Sequence, residues 1–205
     1  MQITSAMKMV SAAKLKRAQD AITQMRPYAE KLQEILGNLS ATLDLSENAY
    51  SEQREVKNAY IIAVTSNRGL CGGLNVNLFR SVVKQIAEFD AKGIECDLGV
   101  IGNKAAPFFR SIGGNIVSVM NDVGEAPALA DLIGGIRVML EAYSEGKIDR
   151  LFLASNEFEN TMTQKPVVRQ ILPLEPSADD SYQHRWDYIY EPDARQLIEG
   201  LILRF

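Results

Sequence analysis

The chain is poor in the residues that most often carry chemistry: among 205 residues there are two cysteines, one histidine and one tryptophan. Cys71 and Cys96 are too few for a disulfide framework and too isolated for a metal centre, which points to structural thiols in a reduced compartment. His184 lies in the polar stretch Asp179-Asp180-Ser181-Tyr182-Gln183-His184-Arg185, with no sequence neighbour to complete a metal site or a catalytic pair, and reads as a solvated loop residue. Long apolar runs are missing as well. A membrane helix needs roughly 18 apolar residues, whereas the longest uninterrupted runs here, such as Ile61 to Val64, are strand-sized. The first residues carry lysines but no apolar segment ending in a small-residue cleavage site, which argues against export. A hydrophobic fraction of 46% excludes wholesale disorder.

What charge there is, is unevenly spread. The formal net charge is -4, yet Met1 to Arg26 holds Lys8, Lys14, Lys16, Arg17 and Arg26 against a single acid, Asp20. Such a basic segment suits nucleic acid, an anionic membrane surface or an acidic protein partner. Its apolar residues recur at Ile3, Met7, Val10, Ala18, Ile22, Met25, Ala29, Leu32, Leu36, Leu39 and Leu43, in steps of three or four except across one weak turn near Lys14. That near-3.5 period belongs to a coiled-coil seam rather than to the broader face of a core helix. A helix of roughly 36 residues is about 54 Å long, too long to lie on one small domain, so the seam needs a partner. Pro27 interrupts the amide ladder, but good helix formers dominate on both sides, and one long helix is expected to run into the polar stretch Ser46 to Glu55.

After Lys57 short strands alternate with helices. Ala59 to Val64 is a continuous apolar run, as in a strand covered on both faces. Beyond it a helix carries Leu78, Phe79, Val82, Val83, Ile86 and Phe89 on one stripe and stops at Gly93. Ile94, Cys96, Leu98 and Val100 alternate on a second strand; Asn103 is placed to cap a short helix through Phe108 and Phe109; Gly113-Gly114 turns into a strand from Asn115 to Met120. A third helix starts near Pro127 and stops at Gly146, Leu151 to Ala154 is a further strand, and Pro166 to Leu174 suits an edge strand. This alternation predicts a Rossmann-like, mostly parallel sheet with helices on both faces. Pro192 and Asp193 open another helix whose stripe, Leu197, Ile198, Leu201, Ile202 and Phe205, has no stop signal, as expected of a truncated chain. The domains are therefore drawn as a shaft helix and linker at 1–56, an α/β domain at 57–191 and the start of a second shaft helix at 192–205.

The loop Ser66 to Asn75 is the one stretch with the look of a ligand site, because glycine-rich turns between a strand and a helix N-terminus bind phosphates in α/β folds. Gly69, Gly72 and Gly73 give neither the dinucleotide fingerprint nor the Walker sequence. Gly69, Cys71, Gly72 and Gly73 are accordingly read as a structural loop held by tight backbone packing. There is no Ser-His-Asp candidate, no metal-ligand spacing and no positioned carboxylate pair. Trp186, Tyr188 and Tyr190, followed by Glu191-Pro192, alternate as a short extended segment suited to a contact surface.

Three separated motifs now carry a resemblance. Ile3-Thr4-Ser5-Ala6-Met7-Lys8-Met9-Val10-Ser11-Ala12-Ala13-Lys14 with Arg26-Pro27-Tyr28-Ala29, then Arg68-Gly69-Leu70-Cys71-Gly72-Gly73-Leu74-Asn75, then Trp186-Asp187-Tyr188-Ile189-Tyr190-Glu191-Pro192-Asp193, resemble in the same order the gamma subunit of the F-type ATP synthase, most nearly its bacterial form. The resemblance implies a central-stalk rotor without a catalytic group or cofactor of its own, peripheral on the cytoplasmic face of the bacterial inner membrane. It couples proton flow through the membrane ring to ATP synthesis or hydrolysis in the beta subunits. It implies that Met7, Lys8, Val10, Lys14, Lys16 and Arg17 meet the hexamer of alpha and beta subunits, and that Tyr188, Tyr190 and Glu191 lie near the c-ring or epsilon. It also implies truncation at both ends, since family members begin with a further turn of helix and continue past the position of Phe205 into a long helix. Two other readings remain at this stage: a Rossmann-like nucleotide-binding enzyme with a helical dimerisation arm, and a nucleic-acid binder using the basic helix.

Overall fold

The structure, a computed structural model, describes residues 2–42, 50, 54–121, 123–124, 129–174 and 200–201. The chain divides into two compact units, Met1–Thr42 with Pro176–Phe205, and Leu43–Glu175. In the first, α1 runs over Gln2–Thr42 as a single helix of 41 residues with Pro27 inside it. Helix formers on either side of the proline carry it through the missing amide bond. Its apolar stripe is covered unevenly. Leu32 and Leu36 are 4% and 3% exposed, whereas Met7, Val10 and Met25 keep 65%, 58% and 62% of their surface in water.

The second unit is a five-stranded sheet in the order β3-β2-β1-β4-β5. The strands are β1 (Asn58–Val64), β2 (Glu95–Ile101), β3 (Asn115–Met120), β4 (Arg150–Phe158) and β5 (Gln164–Leu172). β1 lies at the centre, parallel to β2 and β4, with Ile61 beside Leu98 on one side and Phe152 on the other. β3 adds a parallel strand to β2, and β5 runs antiparallel on the far edge. Right-handed crossovers place α2 (Leu74–Asp90) and α3 (Ala105–Ser111) on one face, because β1, β2 and β3 progress in one direction. Their Leu78, Phe79, Val82 and Phe109 close over Ile61, Leu98 and Val100 in a fully apolar core. After β3 the chain reverses direction across the sheet, which carries α4 (Leu129–Ser144) to the opposite face. There a Cβ on Gly135 would stand 2.7 Å from Met120 Sδ. Strands, helices and their two-faced arrangement agree with the sequence pattern.

Three local expectations are corrected. Asn103 does not cap α3: the N-cap is Lys104, without a side-chain bond. Asn103 instead belongs to the turn after Gly102, and its N–H donates to Asn67 Oδ1 at 3.3 Å. β4 does not stop at Ala154. It continues to Phe158 because β5 pairs with it beyond the last residue that meets β1. The edge strand begins at Gln164 rather than Pro166, with Pro166 opposite Asn156. The expected start of the third helix at Pro127, the seam residue Leu43, and the segment holding His184, Trp186, Tyr188, Tyr190 and Glu191 lie outside the described residues.

The face under α4 contains a further tight fit. Tyr60, 3% exposed, lays its ring over Gly99, where a Cβ would be 2.6 Å from Tyr60 Oη. Gly99→Ala should destabilise the unit by about 1–3 kcal/mol through overpacking, read as a lower urea midpoint with an unchanged m-value; an unshifted midpoint would contradict the packing. Burial and the neighbouring Asp97 carboxylate push the Tyr60 hydroxyl up from 10.0 to about 12. The same two causes push the Cys96 thiol up from 9.0 to about 12. The unfolded chain therefore releases both protons before the folded chain does. The stability this gives is complete below pH 9 and is lost as the pH rises towards 12. Urea unfolding at about pH 8 and about pH 11 should show a lower midpoint at the higher pH, and the drop should shrink in Cys96→Ala.

Candidate functional site

Residues 65–75 join the central strand to α2 at the carboxyl end of the sheet, beside the point where strand order reverses between β1 and β4, the position at which open α/β sheets bind ligands. Thr65 anchors the loop to β2: its N–H and its Oγ1 donate to the Ile101 carbonyl at 2.9 and 3.0 Å. Asn75, in the first turn of α2, is buried and reaches back into the loop. Its Nδ2 donates to Ser66 Oγ at 2.8 Å and to Cys71 Sγ at 3.3 Å, and its Oδ1 accepts the Ser66 N–H at 3.3 Å. Ser66 Oγ donates in turn to the Arg68 carbonyl at 2.7 Å. On the outer side Asn67 Nδ2 donates to the Val123 carbonyl at 2.7 Å, while its Oδ1 accepts the Asn103 N–H. One asparagine thus braces the loop from inside and another ties it to the loops after β2 and β3.

Close packing accounts for Gly73 alone among the loop glycines, since a Cβ there would stand 3.0 Å from Asn77 Nδ2. A Cβ on Gly72 would meet nothing within 4 Å, and one on Gly69 would meet only the Lys104 side chain, at 3.6 Å. At Gly72 the reason is conformational: it sits at φ 60°, as does Leu70, which stands fully exposed at the apex. Cys71 is exposed and Cys96 half-buried, both as free thiols. Chemically the Ser66 and Asn75 side chains are bonded to each other, while Arg68 is exposed and Lys104 lies against Gly69. Among the described residues no group of three or more His, Cys, Asp and Glu side chains could hold a metal.

On α1, Met7, Lys8, Val10, Lys14, Lys16 and Arg17 are all exposed. At 3.6 residues per turn the steps of three and four between Met7, Val10, Lys14 and Arg17 bring those four onto one stripe. Lys8 and Lys16 are turned from Met7 by about 100° and about 180°. The basic residues therefore wrap the helix rather than forming a single track. Tyr188, Tyr190 and Glu191 lie outside the described residues. Sequence reasoning passed over Asn67 and Asn75; a polar side chain in the first turn after a glycine run was the available signal, since short polar side chains there bond back to loop amides.

Comparison with known proteins agrees with this architecture. A solved structure titled as the central stalk and c-ring of the Tetrahymena thermophila mitochondrial ATP synthase superposes with a TM-score of 0.65 at 20% identity, over 98% of this chain and 86% of that one. A rotor structure of the Euglena gracilis mitochondrial ATP synthase is more distant, with a TM-score of 0.43 at 16% identity over 93% of this chain and 76% of that one. At such identities the Tetrahymena match speaks for the fold alone. The family model described as ATP synthase, by contrast, matches residues 1–205, the whole chain. With all of its length accounted for in this way, the chain belongs to the ATP synthase gamma family.

Proposed function

We propose that this rotor subunit turns inside the hexamer of alpha and beta subunits and couples proton flow through the membrane c-ring to ATP synthesis or hydrolysis in the beta subunits. The observation that carries the reading is the family match over the whole chain, 1–205. It is supported by a 41-residue helix whose Met7, Val10 and Met25 are left bare for a partner. Residues 1–56 serve as shaft helix and linker, 57–191 as the foot and 192–205 as the start of a second shaft helix. No helix among the described residues is long and apolar enough to cross a membrane, which fits a subunit held peripherally by its partners, here on the cytoplasmic face of a bacterial inner membrane.

The subunit contributes geometry, not a reacting group, and needs no cofactor. A shaft with unlike faces makes different contacts with each beta subunit. It can bias each one's open or closed state only by the difference between those contact energies, about 1.4 kcal/mol for each tenfold shift in population. The wrapped arrangement of Lys8, Lys14, Lys16 and Arg17 suits this role, because opposite charge on the surrounding subunits sets register and steering more than raw affinity. The loop of Gly69, Cys71, Gly72 and Gly73 is scaffold rather than a nucleotide site. Tyr188, Tyr190 and Glu191 are assigned to the c-ring and epsilon side, where two tyrosines give rigid contact area at low entropic cost.

Replacing Lys14, Lys16 and Arg17 together by Glu should reduce ATP-driven proton pumping in membrane vesicles by about tenfold or more while the isolated chain keeps its far-ultraviolet circular dichroism and melting temperature. Pumping at the unaltered rate would sink the assignment of these residues to the hexamer.

A further inference from the structure

The α/β unit is joined to the rest of the chain at two places, ahead of Tyr50 and beyond Leu174. Those two positions meet: the Leu174 N–H donates to the Tyr50 carbonyl at 2.8 Å, and both residues are buried. Tyr50 stacks on Tyr143 in the last turn of α4, with ring centroids 6.0 Å apart and planes 15° from parallel. Its Oη lies 3.2 Å from Ser144 Oγ. Arg54 stands over the Tyr143 ring, its guanidinium carbon 5.3 Å from the centroid, and its Nη1 donates to the Tyr143 carbonyl at 3.1 Å. Tyr143 itself is fully buried. Three residues further, the Lys57 and Asn58 N–H groups both donate to Asp149 Oδ2 at 2.9 Å, fastening the same segment to the start of β4.

We propose that Tyr50, Arg54, Tyr143 and Leu174 form a latch that makes the foot take up torque as one body. The inference rests on the rotor reading and names positioning residues for it. Without a cross-tie, load arriving along either crossing would fall on one strand at a time, and its hydrogen bonds would open in sequence from the end. The Tyr50–Leu174 bond makes the two crossings share that load. The Tyr143 ring, held between a stacked tyrosine and a cation, passes it to α4, and Asp149 passes it to the start of the central strands. Arg54 is half-buried and its partner ring fully buried, so the cation is partly shielded from water, which strengthens its hold on the ring.

The test uses the assembled enzyme in membrane vesicles with Arg54→Ala, Tyr50→Ala, the conservative Arg54→Lys and Tyr50→Phe, and Gly99→Ala as a destabilising control distant from the latch. Arg54→Ala should raise opening at the Leu174 amide about fivefold, read by hydrogen exchange, and should lower the protons pumped per ATP hydrolysed. Tyr50→Ala should do the same. Tyr50→Phe retains the stack and the backbone bond and should pump as the unaltered enzyme does, and Arg54→Lys should recover part of the loss. Gly99→Ala should lower the melting temperature without changing protons per ATP. An Arg54→Ala enzyme that melts lower yet pumps the unaltered number of protons per ATP would overturn the latch and leave the rotor reading standing. An unaltered chain that supports no ATP-driven pumping in the hexamer would overturn the rotor reading, and the latch with it.

Discussion

An apolar stripe on a helix of 41 residues is the constraint on which the rest depends. At 1.5 Å per residue α1 is about 60 Å long, more than one small domain can cover. Leu32 and Leu36 are buried while Met7, Val10 and Met25 stand in water. Leaving apolar surface bare costs about 25 cal/mol per Å², which is why the proposal gives this stripe another helix or another subunit to pack against. The basic residues share that stretch: Lys14 and Arg17 continue the stripe and Lys8 and Lys16 face elsewhere. A stripe that mixes apolar and cationic residues, with further cations on the other sides, gives the helix both apolar contact area and charge to set register.

The α/β unit has the strand order of a nucleotide-binding fold, and its loop after β1 occupies the usual ligand position. Yet the polar groups of Ser66, at the start of that loop, are turned inward. The Ser66 N–H is accepted by Asn75 Oδ1, and the Ser66 hydroxyl is shared between Asn75 Nδ2 and the Arg68 carbonyl. The loop thereby holds Leu70 rigidly outward at positive φ. Stiffness is the common property of this unit: a core of Ile61, Leu98, Val100 and Phe109 on one face, Tyr60 fitted over Gly99 on the other, and crossings tied together at Tyr50 and Leu174. A subunit that works by transmitting force needs that property more than it needs a reactive group.

Much of this was legible because burial writes simple periods. The stripe from Leu78 to Phe89 located α2, the positive-φ glycines at 93, 113 and 146 marked its stop and two later turns, and Asn115 to Met120 was read residue for residue. Local pattern was blind where the cause lies across the fold. Asn103 looks like a helix cap in sequence, but Asn67, 36 residues earlier, draws its N–H into a turn. β4 outruns its apolar core because β5 supplies the pairing that β1 cannot. Packing was read for every loop glycine and suits Gly73, but Gly72 is set by its φ of 60°, which has no sequence signature that separates it from crowding. Tyr50 and Arg54 vanished into a polar stretch, since their partner Tyr143 is 93 and 89 residues away. The basic residues read only as a basic segment because composition counts charges without assigning them to sides of a helix.

The central claim is that this chain turns as a rotor. With the hexamer of alpha and beta subunits fixed to a surface and a bead attached through a cysteine placed at the exposed Met162 of the β4–β5 turn, the bead should rotate in one direction during ATP hydrolysis and stop when nucleotide is withdrawn. Full hydrolysis by the hexamer with a bead that only fluctuates about a fixed angle would contradict the account.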